Sequence, residues 1–410
     1  MSTRHRLRVG LAVMNHSQPG LGGGLDIYTR HLVEALAEHD HDNDYVIITK
    51  DAAQAELWRY RTWPGNFRIH ALREYEARQG LTTRTVRRWR LWRGQAVPAH
   101  YGEPYRSRQI EELELDLLHF PDTLIEPLSV STPCVLTFFD MQHEYYPRFF
   151  SPEHLAWRAA RYRPSVDKAA HLLVPSHFTA STLSERYGVA PSKMSLAPVG
   201  VQPGFQRATP KDVDRVRERY GLPERYLFYP ANPWPHKNHA RLMAALRIYG
   251  ERFGRAPELV LSGRLANEPR DATELARAAG VEASVHNLDF VAFEDMPALY
   301  TGAAAMVFPS FFEGFGIPLL EAMACGCPIA AADATAIPEC VGDAAVLFDP
   351  FDPECIANAL HSLLSDEELQ RTLVARGSAR LAQYRWQELA PQITAVYRQV
   401  AGRTPAVGSD

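Results

Sequence analysis

Short, uniformly apolar runs alternate along this chain with longer stretches in which apolar residues recur every three or four positions. The first run, LRVGLAVM at 7–14, is too short for a stable helix and predicts a buried strand. The turn-rich NHSQPGLGGG follows, and then LDIYTRHLVEALAEH, whose apolar positions fall at helical spacing. YVIIT at 45–49, LLHF at 117–120, CVLTFF at 134–139 and HLLVPS at 171–176 repeat the strand pattern. Runs apolar at every position predict strands covered on both faces. Their alternation with helices predicts a parallel α/β sheet.

The same alternation restarts after the loop APVGVQPGFQ at 197–206, with RYLFYP, ELVLSGR, VHNLDFV, AAAMVFPS, CPIAAAD and AAVLFDP as its strands. A chain of 410 residues suits two domains, each able to bury its own core. The pattern divides it into residues 1–200, residues 201–385, and a closing segment at 386–410 whose helix, WQELAPQITAVYRQVAG, has no strand of its own.

Charge narrows the partners. Forty-four Lys plus Arg against 48 Asp plus Glu leave a net charge of -4, so bulk charge advertises no nucleic-acid partner and any anion site is local. No window approaches the length of an apolar membrane span, and a cytoplasmic protein is expected. Segment 78–108 carries arginines interleaved with Trp and Tyr; it reads as a solvated insertion or as a patch facing a phosphorylated acceptor, nucleic acid or the anionic inner face of a membrane. The five cysteines, Cys134, Cys325, Cys327, Cys340 and Cys355, form neither a disulfide framework nor a metal-ligand spacing. HDHDND at 39–44 reads as a polar loop, and no metal is expected.

The chemistry concentrates in FPSFFEGFGIPLLEAMACGCP at 308–328. A buried strand leads into a glycine turn, and Pro318 suits the first turn of a helix ending near Gly326. Glu313 then sits ahead of the helix and Glu321 about one turn inside it. Both can face the cleft at the carboxyl end of the sheet, where open α/β sheets bind ligands. The backbone amides around Gly314, Phe315, Gly316 and Ile317 lie at a helix N-terminus, which favours phosphate oxygens. Glu321 can hold a ribose diol and Glu313 a hydroxyl of a transferred sugar. The glycines Gly22, Gly23 and Gly24 do not complete a dinucleotide-binding fingerprint, which disfavours an oxidoreductase.

The spacing of Glu313 and Glu321 within EGFGIPLLEAMACGCP resembles the signature of the retaining family-four glycosyltransferases, of the group 1 type, which have the GT-B fold: two facing Rossmann-like domains and a C-terminal helix crossing back to the first. GLGGG at 20–24, VPSHFTASTL at 174–183, PHKN at 235–238 and the closing helix extend the resemblance over most of the chain. It implies a retaining, metal-independent hexosyltransferase using a UDP- or GDP-sugar as co-substrate, with no further cofactor. It also implies donor binding by the second domain, and a sugar, natural-product or lipid-linked acceptor on the first. Under it Lys237 reaches the diphosphate, and Gly23 and Gly24 lie by the sugar phosphates. The family's usual arginine is replaced by Ala231 and Asn232, so Asn232, Arg264 or His236 is left to complete the clamp. Asp140, and His143 in place of a histidine replaced by Phe139, contact donor or acceptor, or else form a structural pair. Another sugar-nucleotide enzyme of this fold, or a non-catalytic sugar-nucleotide-binding subunit, remains the alternative.

Overall fold

The computed structural model describes residues 6–14, 24–73, 103–263, 272–288 and 291–402. Strands β1 (Arg8–Ala12), β2 (Asp44–Thr49), β3 (Phe67–Ala71), β4 (Leu117–Phe120), β5 (Cys134–Thr137), β6 (His171–Val174) and β7 (Met194–Leu196) form one sheet in the order β3-β2-β1-β4-β5-β6-β7. Strands β8 (Leu227–Pro230), β9 (Leu259–Ser262), β10 (Val285–Asn287), β11 (Ala305–Phe308), β12 (Ile329–Ala332) and β13 (Val346–Phe348) form a second in the order β10-β9-β8-β11-β12-β13. Every strand pair is parallel. These are two Rossmann-like units. In each, the order reverses once, between β1 and β4 and between β8 and β11, and at such a switch point neighbouring loops diverge and leave a crevice.

The unbroken apolar runs are explained by burial: every residue of β4, β5, β6, β9, β11 and β12 is buried beneath helices. The hydrophobic pattern did not reveal β3 or β7. Both are edge strands, and only Phe67 among their residues is buried, so neither needed an apolar run.

The terminal helix, Trp386–Ala401, returns to the first sheet. It buries Leu389, Ile393, Val396, Tyr397 and Val400. Tyr397 Oη lies 2.6 Å from His119 Nδ1 on β4. At about 1.5–3 kcal/mol for each buried apolar side chain, this docking contributes on the order of 10 kcal/mol as an upper bound. Beside the crossing, Val201 N donates to Tyr384 O at 2.8 Å. A Cβ on Gly200 would stand 2.4 Å from the Trp386 ring, so only glycine lets the two crossings pack together.

The units also meet beside the crevice. The helix His177–Tyr187 of the first unit presents its N-terminus to Glu339 of the second, whose carboxylate accepts from the amides of His177 (2.7 Å) and Phe178 (3.3 Å). Those amides have no partner within a helix, and a carboxylate there also complements the helix dipole. Ser176 Oγ and Thr179 Oγ1 both donate to the Gly314 carbonyl, at 2.7 and 3.3 Å.

Candidate active site

The crevice has a volume of about 710 Å³ and is lined from both units. Its second-unit wall comes from the loops after β8 and β11, the two strands at the switch point. After β8, Pro235–Lys237 form one 3-10 turn, closed by Asn238 at φ 63°. Asn238 Nδ2 donates to the carbonyls of Pro309 (3.0 Å) and Pro350 (2.7 Å), and Tyr229 Oη donates to the Lys237 carbonyl at 2.8 Å. The backbone of Lys237 is thereby fixed before any ligand arrives.

After β11, Glu313 N donates to Thr335 Oγ1 at 3.0 Å, and its carboxylate meets Lys237 Nζ at 2.7 Å. Gly316, at φ 117°, opens the helix Ile317–Ala324 without any side-chain cap, and Pro318 occupies its first turn. The uncapped N-terminus faces the crevice with Gly314, Phe315, Gly316 and Ile317. Glu321, within this helix, is 7% exposed. Its Oε1 accepts from Gln202 Nε2 and its Oε2 from Tyr300 Oη at 2.6 Å. Burial raises the Glu321 carboxyl to about 7, against the pull of the Tyr300 donor.

The first unit supplies Gly24, at the start of the helix Gly24–His39, together with Phe139 and Asp140. A Cβ on Gly24 would lie 3.2 Å from Ile317 Cδ1, a measure of how closely the units approach. Asp140 Oδ1 accepts from Gln142 N at 3.0 Å. Burial raises the Asp140 carboxyl above its ordinary value, and the nearby Glu313 charge adds to the rise.

Glu313, Glu321, Lys237, Asn232, Asp140 and Gly24 therefore converge on one crevice, as does the loop 314–317. One residue of the expected set stands elsewhere. His143, in the helical turn Gln142–Tyr145, is not among the residues lining the crevice; it packs 4.8 Å from the Tyr162 ring, where burial lowers its imidazole to about 4. It contributes no group to the crevice wall, so Asp140 stands there without it. His236 lines the crevice, but burial, with Lys237 and His239 beside it, lowers its imidazole to about 2. Gly23 and Arg264 lie outside the described residues, as does most of segment 78–108.

The sequence did not point to Gln202 and Tyr300, the partners of Glu321, or to Ser176, Thr179 and Glu339. Asp40, in the polar stretch 39–44, accepts from Asn43 Nδ2 and Tyr45 Oη, both at 2.6 Å, as a turn-stabilising carboxylate does. Among the described residues no group of three His, Cys, Asp or Glu side chains is placed to hold a metal ion. No helix among them is long and apolar enough to cross a membrane.

Two family models divide the chain between them: Glycosyltransferase Family 4 matches residues 22–205, and Glycosyl transferases group 1 matches residues 211–380. The chain belongs to the family-four, group 1 glycosyltransferases. Among curated members, it is 28% identical over 265 residues to the O-antigen chain mannosyltransferase B of Escherichia coli, a match covering 64% of this chain and 70% of that one. It is 32% identical over 249 residues to the D-inositol 3-phosphate glycosyltransferase of Salinispora arenicola, covering 57% and 55%. The match thus spans about half the length of that glycosyltransferase. Among solved structures, the Anabaena protein HepE in complex with UDP and glucose superposes with a TM-score of 0.70 over 96% of this chain and 100% of its own, at 18% identity. At that identity the likeness is one of fold, and the fold of this glycosyltransferase is GT-B.

Proposed function

We propose that the chain moves a hexose from a nucleotide-diphosphate sugar to an acceptor hydroxyl, with retention of anomeric configuration and without a metal ion. The observation that carries the reading is the convergence of Lys237, Glu313, Glu321 and an uncapped helix N-terminus on one wall of the crevice, with Asp140 on the other. The mannosyl relative and the UDP and glucose held by HepE support a hexose donor of this kind. The O-antigen relative favours a saccharide chain, including a lipid-linked one, as acceptor.

Each residue has a chemical task in this reading. The helix start at 314–317 takes the diphosphate oxygens on its amides, and Lys237 adds the opposing charge. Lys237 Nζ is paired with Glu313 Oε1 at 2.7 Å. A diphosphate drawing the ammonium away frees the Glu313 carboxylate to accept from a hexose hydroxyl beside the anomeric carbon. As the glycosidic bond breaks, negative charge on the leaving phosphate meets Lys237 and the helix N-terminus, while positive charge on the sugar meets Glu313. The acceptor hydroxyl attacks from the face the phosphate leaves, and the phosphate takes its proton. Glu321 holds the ribose. Contact between the units keeps out water, whose attack would hydrolyse the donor.

The reading is tested by a thermal-shift screen against UDP-, GDP-, ADP- and TDP-sugars, followed by transfer assays with and without EDTA. A donor at 100 times its dissociation constant stabilises the fold by about 2.7 kcal/mol. Proton NMR of the product reports the anomeric configuration. No shift with any nucleotide sugar refutes the donor assignment, inversion refutes retention, and EDTA inactivation reversed by manganese or magnesium refutes metal independence.

A further inference from the structure

The carboxylate of Glu321 is held from two different parts of the fold. Tyr300, which donates to Oε2, is on the helix Met296–Gly302 beside the second sheet. Gln202, which donates to Oε1, belongs to the linker between β7 and the helix Pro210–Tyr220 that joins the two units. A glutamine on a linker ordinarily faces water. This one is 3% exposed, and its own Oε1 is buried without a partner. Leaving that oxygen unpaired carries a desolvation cost, which the contact of Nε2 with a carboxylate offsets. The linker around it is anchored: Val201 bonds to Tyr384 at the returning crossing, and Phe205 packs edge-on to Tyr300 at 6.0 Å.

We propose that Gln202 is a positioning residue for the donor, through which the linker sets the orientation of the Glu321 carboxylate and so couples nucleotide binding to the relation between the two units. The proposal rests on the reading of Glu321 as the ribose carboxylate. Held by Tyr300 alone, the carboxylate can pivot about its terminal torsion. Held at both oxygens, it keeps a lone pair free on each, matched to the two adjacent hydroxyls of a ribose. A linker movement that withdraws Gln202 releases one of those oxygens and weakens nucleotide binding, and a bound nucleotide reciprocally favours the linker conformation seen here.

The test compares wild type, Gln202→Met, Glu321→Gln and the double variant by isothermal titration with UDP, GDP, ADP and TDP, with inorganic pyrophosphate as the control, and by donor steady-state kinetics. Methionine keeps the length of the side chain and removes its buried, unpaired oxygen. Gln202→Met is expected to bind the nucleoside diphosphate roughly tenfold more weakly, with pyrophosphate binding unchanged, donor KM raised and kcat retained. In the double variant it should add nothing to Glu321→Gln, since both act on one contact. Nucleotide binding by Gln202→Met at wild-type strength, while Glu321→Gln loses it, overturns the proposal and leaves the ribose reading standing. Additive losses in the double variant overturn it likewise. Equal loss of pyrophosphate makes Gln202 a general structural residue and also overturns it. Full nucleotide binding by Glu321→Gln, or no nucleotide bound by wild type, overturns the ribose reading and the proposal with it.

Discussion

Replacing Glu321 by glutamine is expected to stabilise the ligand-free protein above neutral pH and to leave it unchanged in acid. The folded carboxyl is raised from 4.5 to about 7 because burial disfavours its charge. Between those values the folded state keeps a proton that the unfolded chain has lost. The protonated carboxyl's contribution to stability is therefore complete below pH 4.5 and is lost as pH rises through about 7. The gap of about 2.5 units, at 1.36 kcal/mol each, amounts to about 3 kcal/mol. Glutamine does not titrate. Its oxygen can still accept from Tyr300, and its NH2 can donate to Gln202 Oε1 once the Gln202 amide, which now presents Nε2, turns over. The assay is a set of thermal melts of both proteins without ligand across this range. The variant's advantage should be absent near pH 4.5 and full above pH 7. One kcal/mol corresponds to about 2–4 °C in a unit of 150–250 residues, so the separation should reach several degrees. A difference that does not vary with pH, or a variant less stable in alkali, refutes the reasoning. Nucleotide binding should fall in the same variant, because the buried charge that lowers stability is the group proposed to hold the ribose.

The remaining predictions concern the phosphate and sugar ends of the crevice. Lys237→Ala should weaken binding of donor and nucleoside diphosphate by about 1.5–3 kcal/mol in calorimetry and spare the nucleoside; equal loss of the nucleoside would place Lys237 away from the phosphates. Glu313→Gln should lower kcat about a hundredfold without weakening the nucleoside diphosphate, because the ion pair with Lys237 is gone and the ammonium is released to the phosphate. Normal turnover combined with poor nucleotide binding would reverse the roles of the two glutamates. Gly314→Ala brings a Cβ to within 2.2 Å of the Phe139 carbonyl oxygen across the units, an atom that cannot swing aside. Turnover should fall at least tenfold in this variant while nucleotide binding to the second unit persists; wild-type kcat would show that the contact is not needed for catalysis.

The strands with two buried faces were legible because burial on both sides demands apolar residues at consecutive positions, and a window of sequence displays that demand directly. The glycine turn, Pro318 and the two glutamates were legible for a similar reason: the geometry of a strand, a turn and a helix start is local, and these residue types suit each part of it. The edge strands β3 and β7 escaped because pairing on one side supplies their backbone hydrogen bonds without calling for an apolar face. His143 packs on Tyr162 and is not among the residues lining the crevice. Spacing from Asp140 put it in the loop after β5, and its packing against the Tyr162 ring came from the fold.

Local pattern determined that this chain would make two parallel sheets and where a strand, a glycine turn and a helix start would follow one another. It could not determine what stands opposite that start, since the answer comes from parts of the chain that are distant in sequence. Gln202 is 119 residues from Glu321, and Ser176 is 138 from Gly314. The lowering of the His236 imidazole likewise comes from tertiary structure, through the burial of its ring beside Lys237 and His239. Burial and close approach belong to the assembled units, and the electrostatics of the crevice follows from them.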